Sequence, residues 1–196
     1  MQKKELTSQQ IIDVAFGLFA KHGIDRTSLA MIAKEIGISK PAIYYHFDSK
    51  EALIQAIFEI VFRDYKFEND FDLEAFTKDN FASLLFESGM KTLPDDAPEH
   101  QVMYRVLMEF VVLSGRDATY AERLKTMQLD YIKGFQSLIT KGIALGVCKP
   151  EHTEASAQSL ALLLDNLSSY RFMGIAVDAE LVWRLAVNHV LLREDV

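Results

Sequence analysis

Gly23-Ile24-Asp25-Arg26-Thr27-Ser28-Leu29-Ala30-Met31-Ile32-Ala33-Lys34-Glu35-Ile36-Gly37-Ile38-Ser39-Lys40-Pro41-Ala42-Ile43-Tyr44-Tyr45-His46-Phe47-Asp48-Ser49-Lys50-Glu51-Ala52-Leu53 is the stretch whose reading decides this chain. Leu29, Ile32, Ala33 and Ile36 fall at helical spacing and make one apolar face. Small Ala33 lets a second helix cross closely. Gly37 supplies the positive φ that a tight inter-helix turn requires. Ser39 is a cap for the next helix, over roughly 39–46, and Pro41 falls in its first turn, where a missing N–H is harmless. Ile38 and Ile43 fold back into a small core, and Phe47 closes it. The pattern is that of a helix-turn-helix.

If Ile43 faces inward, Lys40, Pro41, Ala42, Tyr44 and Tyr45 face outward. One cation and small side chains near a helix start, with hydroxyl donors further along, suit the approach of a recognition helix to base edges in the major groove. Thr27, Ser28, Tyr44, His46 and Lys50 are donors placed around that helix, as phosphate contacts require. Two residues keep a second reading: Tyr45 either faces outward or packs on the fourth helix, and His46 either contacts DNA or serves as a structural histidine.

The run resembles the N-terminal signature of the TetR family of transcriptional regulators: Gly-aliphatic, Thr/Ser-Leu, Ile-Ala, the Gly turn, and above all Ile43-Tyr44-Tyr45-His46-Phe47-Asp48-Ser49-Lys50-Glu51-Ala52-Leu53. The resemblance implies that Ser39, Lys40, Pro41 and Ala42 lie near bases. It implies that Tyr44, Tyr45, His46, Lys50 and Thr27 contact the DNA backbone. It further implies an all-α homodimer that binds operator DNA and answers to a small molecule.

Outward from this stretch, helical spacing continues nearly throughout. Ile12, Ala15, Phe16 and Phe19 mark a first helix, capped by Thr7 or Ser8 and ended by Gly23. The second runs from Thr27 or Ser28 to Ile36. The fourth starts after Asp48 or Ser49 and continues towards Lys66. Longer helices are expected at about 72–91, 98–114, 117–145, 153–174 and 179–193, divided by Pro94 and Pro98, Ser114-Gly115, Gly146 and Pro150, and Gly174. The fold class is all-α with about nine helices. A helix-turn-helix DNA-binding domain is expected over 1–48, and a helical regulatory, ligand-binding and dimerisation domain over 49–196.

Composition bounds the function. Of 196 residues 49% are hydrophobic and 25% charged, the balance of a folded domain rather than a disordered one. The net charge of −7 is unevenly spread: residues 1–50 hold seven basic and five acidic side chains, the remainder fourteen and twenty-three. A mildly basic head on an acidic body permits DNA binding at one end. One cysteine, Cys148, excludes an internal disulfide and suits a reduced, cytoplasmic setting. Near Gly146 and Lys149, that thiol is either an exposed redox sensor or an ordinary side chain. No signal-peptide block and no run of about eighteen apolar residues occurs, so no membrane partner is expected. No nucleotide-binding, metalloprotease or hydrolase motif is found, and the five scattered histidines suggest no metal site; neither a catalytic residue nor a cofactor is expected.

The body is rich in Phe, Tyr and Met. Met103, Leu107, Met108 and Val111 on one helix, Tyr131 and Phe135 on the next, and Asn166 and Tyr170 on the third are either ordinary core or the lining of a pocket for a lipophilic or aromatic effector. Glu109, Asp130 and Asn166 lie close to them. Leu160, Leu163 and Leu167, with Leu181 and Leu185, recur at helical spacing on the last two helices. They form either a homodimer interface or a core within one subunit. The function expected is a small-molecule-responsive repressor on a palindromic operator. An all-helical carrier or enzyme using an apolar cavity is the rival reading.

Overall fold

The computed structural model describes residues 2–63, 65–95 and 97–192, with side chains from residue 8 onward. Among these residues the chain is all helical. The elements are α1 (Gln2–His22), α2 (Leu29–Ile36), α3 (Lys40–Tyr44), α4 (Lys50–Arg63), α5 (Phe67–Asp70), a 3-10 turn (Leu73–Ala75), α6 (Phe81–Thr92), α7 (Pro98–Ser114), α8 (Ala118–Ala144), α9 (Thr153–Phe172) and α10 (Ala179–Val190). Two compact units emerge: residues 1–64 with 98–122, and residues 65–97 with 123–196. The first is therefore larger than residues 1–48, because α4 and α7 pack into the same core as the first three helices.

In the first unit, α1 packs on α2, α4 and α7. Its buried stripe is Ile11, Ala15 and Phe19, while Ile12 and Phe16, expected on that stripe, are half buried. The helix also starts earlier than expected. Ser8 lies within it rather than at its start; the Thr7 side chain lies outside the described residues. Ile24, Leu29, Ile32, Ala33, Ile43, Leu53, Ile57, Phe58 and Phe62 complete the core with Val106 and Phe110 of α7. Phe58, Phe62, Phe110 and Tyr120 form an aromatic cluster with centroids 4.4–5.9 Å apart. Such tilted pairs add to the area they bury.

The second unit holds α5, the 3-10 turn, α6, α9, α10 and most of α8. Its core centres on Phe135, Phe67, Phe71, Phe81 and Trp183. Helical glycines allow the closest approaches: a Cβ on Gly134 would come within 2.1 Å of the Phe67 ring, and one on Gly89 within 2.3 Å of the Trp183 indole. The Trp183 Nε1–H donates to Phe86 O at 3.1 Å, so the buried indole is satisfied. The helix expected over 72–91 is not continuous. Asp72 Oδ1 accepts from Glu74 N, and Asn80 accepts from Thr77 N and donates to Ala75 O. These local bonds offer the backbone an alternative to the helix, while Leu73 and Phe76, three residues apart, read as one helical face. The last helix ends at Val190 rather than 193. Leu191 pairs as an isolated antiparallel bridge with Cys148, with Lys149 N donating to Val190 O and Leu192 N to Val147 O. Cys148 is accordingly buried against Gly142, and burial pushes its thiol up to about 11. That environment suits packing and opposes a thiolate sensor.

Candidate nucleic-acid interface

Three serines set the geometry of the helix-turn-helix. Ser28 Oγ accepts from Met31 N at 3.2 Å, Ser39 Oγ from Ala42 N at 3.3 Å and Ser49 Oγ from Ala52 N at 3.0 Å, so α2, α3 and α4 each start on a side-chain cap. Gly37 closes α2 with φ +79°; its N–H donates to Ala33 O and Lys34 O, and Ile38 N donates to Ala33 O at 2.9 Å. This left-handed residue turns the chain sharply enough for α3 to pack on α2. Only Ile43 of α3 is buried.

The opposite face of α3 is open. Ser39, Lys40 and Pro41 are exposed, Ala42 is half buried, Tyr44 is 45% exposed and Tyr45 71% exposed. Tyr45 therefore faces mainly outward. The Lys40 ammonium stands 5.8 Å from the Tyr44 ring centroid, so the cation is held over an aromatic face. His46 is half buried; its Nδ1 and Ser8 Oγ share a hydrogen bond of 2.8 Å, and its ring meets Tyr45 edge-on at 5.3 Å. Part of its role is structural, tying α1 to the end of α3.

Two expected DNA contacts look inward instead. Thr27 is fully buried, and its Oγ1 lies 2.8 Å from Gly23 O and 3.2 Å from Leu18 O. From the sequence its hydroxyl is indistinguishable from that of exposed Ser28, but it satisfies carbonyls at the end of α1 and in the turn after it. Lys50 is half buried, and its Nζ donates to Ile24 O at 2.6 Å and Asp25 O at 3.3 Å. Its ammonium ties the α1–α2 turn to the start of α4. Glu109, grouped with a ligand pocket in the sequence reading, accepts from Ile24 N at 2.7 Å in that same turn. The available signal was a carboxylate isolated among apolar neighbours on α7, which marks a buried polar task without saying which.

The eight residues expected to line a ligand pocket divide between the units. Met103 and Val111 are exposed, and Leu107 and Met108 half buried, on α7 in the first. In the second, Phe135 is fully buried among Phe67, Phe71 and Trp183 and is a core residue. Tyr131 is half buried and its hydroxyl donates to Asp70; burial first, and then that bond, raises its pKa. Asn166 and Tyr170 are exposed on α9, with Asn166 Nδ2 donating to Leu162 O of its own helix. Of the residues expected at a dimer interface, Leu160 and Leu167 are buried in the core of the second unit. Leu163 is half buried, whereas Leu181 is 50% and Leu185 60% exposed. Leu162, Tyr170, Met173 and Ile175 are exposed as well.

Among the described residues, a capped helix-turn-helix with an outward cation and two tyrosines is followed by a helical body. Residues 11–57 match the model of the bacterial regulatory proteins of the tetR family. Over 59 residues the chain is 44% identical to the HTH-type transcriptional regulator AcrR of Shigella flexneri, which is 30% of this chain and 27% of that protein. The matched stretch thus spans about a quarter of this relative. Over nearly the full length, the fold is similar to that of a putative transcriptional regulator from Saccharomonospora viridis in complex with choline. There the TM-score is 0.76 at 19% identity, covering 96% of this chain and 100% of that one. It is similar also to SmeT, the repressor of the Stenotrophomonas maltophilia multidrug efflux pump SmeDEF, with TM-score 0.67 and 19% identity over 95% and 91% of the chains. Residues 11–57 are thus similar to the DNA-binding segment of tetR-family proteins, and the chain as a whole shares the fold of these solved structures. Among the described residues, no helix is long and apolar enough to cross a membrane, and no group of three or more His, Cys, Asp or Glu is placed to hold a metal ion.

Proposed function

We propose that the protein is a transcriptional repressor that binds a palindromic operator as a homodimer and releases it when a small molecule binds. The observation that carries the DNA reading is the outward face of α3, where Lys40, Pro41, Tyr44 and Tyr45 stand clear of the core on a helix fixed by the Ser39 cap. Ser39, Lys40, Pro41 and Ala42 approach base edges; Ser28, Tyr44, Tyr45 and His46 serve the backbone. Residues 1–48 carry recognition, and residues 49–196 carry regulation and dimerisation.

The dimer reading rests on exposed apolar side chains of α9 and α10. Leu162 and Tyr170 on α9 and Met173 at its C-cap fall at spacings of eight and three, along one side of the helix. Leu181 and Leu185 are one turn apart on α10. An exposed series of this kind is what an isologous interface covers. The effector reading rests on the partly exposed Met103, Leu107, Met108 and Val111 of α7, an adaptable apolar lining that favours a lipophilic or aromatic molecule. The Saccharomonospora protein binds choline, which is cationic, so choline and a panel of aromatic hydrophobes are the ligands to try in a thermal-shift experiment.

Selection of duplexes from a random pool by the purified full chain tests the main proposal. The expected product is an inverted repeat with half-sites about one helical turn apart or slightly more. Failure to enrich any sequence, with the protein folded and dimeric, would contradict it.

A further inference from the structure

We propose that Glu109, carried by α7 and remote in sequence from the helix-turn-helix, is a positioning residue for DNA binding: its carboxylate fixes the α1–α2 turn from which α2 and α3 are built. This rests on the DNA-binding reading above. Ile24 is buried, and its N–H falls beyond the end of α1, where no helical carbonyl receives it. A buried backbone donor needs an acceptor. Glu109 Oε2 meets it at 2.7 Å across 85 residues of sequence, in the short range of a charge-assisted bond. Gly23 makes room: a Cβ there would lie 3.1 Å from the same oxygen, and the residue holds φ +84°. The carbonyl side of the turn is gripped by α4, where Lys50 Nζ reaches Ile24 O at 2.6 Å and Asp25 O at 3.3 Å. Ile24 is thus held by its N–H from α7 and by its carbonyl from α4. The further ion pair of Arg116 with Asp25, at 3.0 Å, is exposed on both sides and contributes little.

The consequence for binding is entropic. Thr27, three residues on, anchors its hydroxyl to Gly23 O, and Ser28 starts α2. If the Ile24 tie is lost, the turn samples more conformations, and DNA must order it on binding. α7 thereby belongs to the reading head in function as well as in packing, and a shift of α7 by about an ångström is enough to break the bond.

The experiment uses the full chain and the duplex that the wild type selects, with two readouts: affinity for that duplex, and hydrogen exchange of the single Ile24 amide in the free protein. Glu109→Ala is expected to weaken binding about tenfold and to speed Ile24 exchange at least about tenfold. Glu109→Gln keeps an oxygen acceptor at the same reach and is expected to recover most of both. Glu109→Asp keeps the charge, disturbs the fold less and draws the carboxylate back by one methylene; it is expected to weaken binding and deprotect Ile24 in parallel. Arg116→Ala is expected to leave both unchanged. Wild-type affinity in Glu109→Ala or Glu109→Asp, with Ile24 exchanging fast, would overturn the positioning role. So would unaltered Ile24 protection in those variants. A wild type that selects no duplex would instead contradict the DNA-binding reading, and the positioning role with it.

Discussion

The head and the body of this molecule are both close-packed helices, yet they encode their structure differently. In the head, Ser28, Gly37, Ser39 and Ser49 punctuate short helices, and each performs a backbone task visible in the sequence. In the second unit, order comes from tertiary fit: Phe67 over Gly134, Trp183 over Gly89 and Cys148 against Gly142. Local chemistry can be read from spacing. Fit between distant residues cannot, because a glycine that seats an aromatic ring looks like any other helical glycine.

Substitutions sharpen this difference. The largest effect is expected in the body. Phe135→Ala should destabilise the protein by about 3–5 kcal/mol, because it empties a fully buried aromatic site. Chemical denaturation would measure it, and a loss below about 1 kcal/mol would show that Phe135 lines a space rather than filling the core. Next is the contrast between neighbouring leucines. Leu185→Glu should leave the monomer folded and weaken the dimer about thirtyfold or more, whereas Leu160→Glu should unfold the chain. Sedimentation together with circular dichroism separates the two; a Leu185→Glu protein that remains fully dimeric at micromolar concentration would place the interface elsewhere.

Smaller effects probe the head. Lys50→Ala should cost about 1–2 kcal/mol of stability through its two lost carbonyl partners. The salt dependence of DNA binding should stay nearly unchanged. A slope reduced by about one would mean that the ammonium meets a phosphate instead. Ser39→Ala should cost about 1 kcal/mol by removing the α3 cap, seen as a modest fall in melting temperature.

How much was legible follows the same division. The all-helical class, the turn at Gly37, the Ser39 cap and the outward set of Lys40, Pro41 and Tyr44 are readable because helical period and cap chemistry are local, whereas the direction of Tyr45 is left open. The direction in which a polar side chain faces is not. Thr27 and Ser28 are adjacent hydroxyls, one buried on carbonyls and one exposed at a cap. Lys50 reads as a phosphate anchor until the Ile24 and Asp25 carbonyls are seen beside it. On α9, apolar residues occur on every side of the helix, so periodicity alone does not separate buried Leu160 and Leu167 from exposed Leu162. The break at 71–80 was hidden because Leu73 and Phe76 keep helical spacing while Asp72 and Asn80 redirect the backbone.

The central claim is that the open face of α3 reads DNA, and the most direct test is the affinity of a Lys40→Ala, Tyr44→Ala double variant for the duplex selected by the wild type. Both side chains are exposed and their removal leaves the core untouched. At about 1–3 kcal/mol for a good contact, affinity should fall roughly thirtyfold or more, with the melting temperature and the dimer unchanged. Wild-type affinity in that folded, dimeric variant would contradict the assignment of this face.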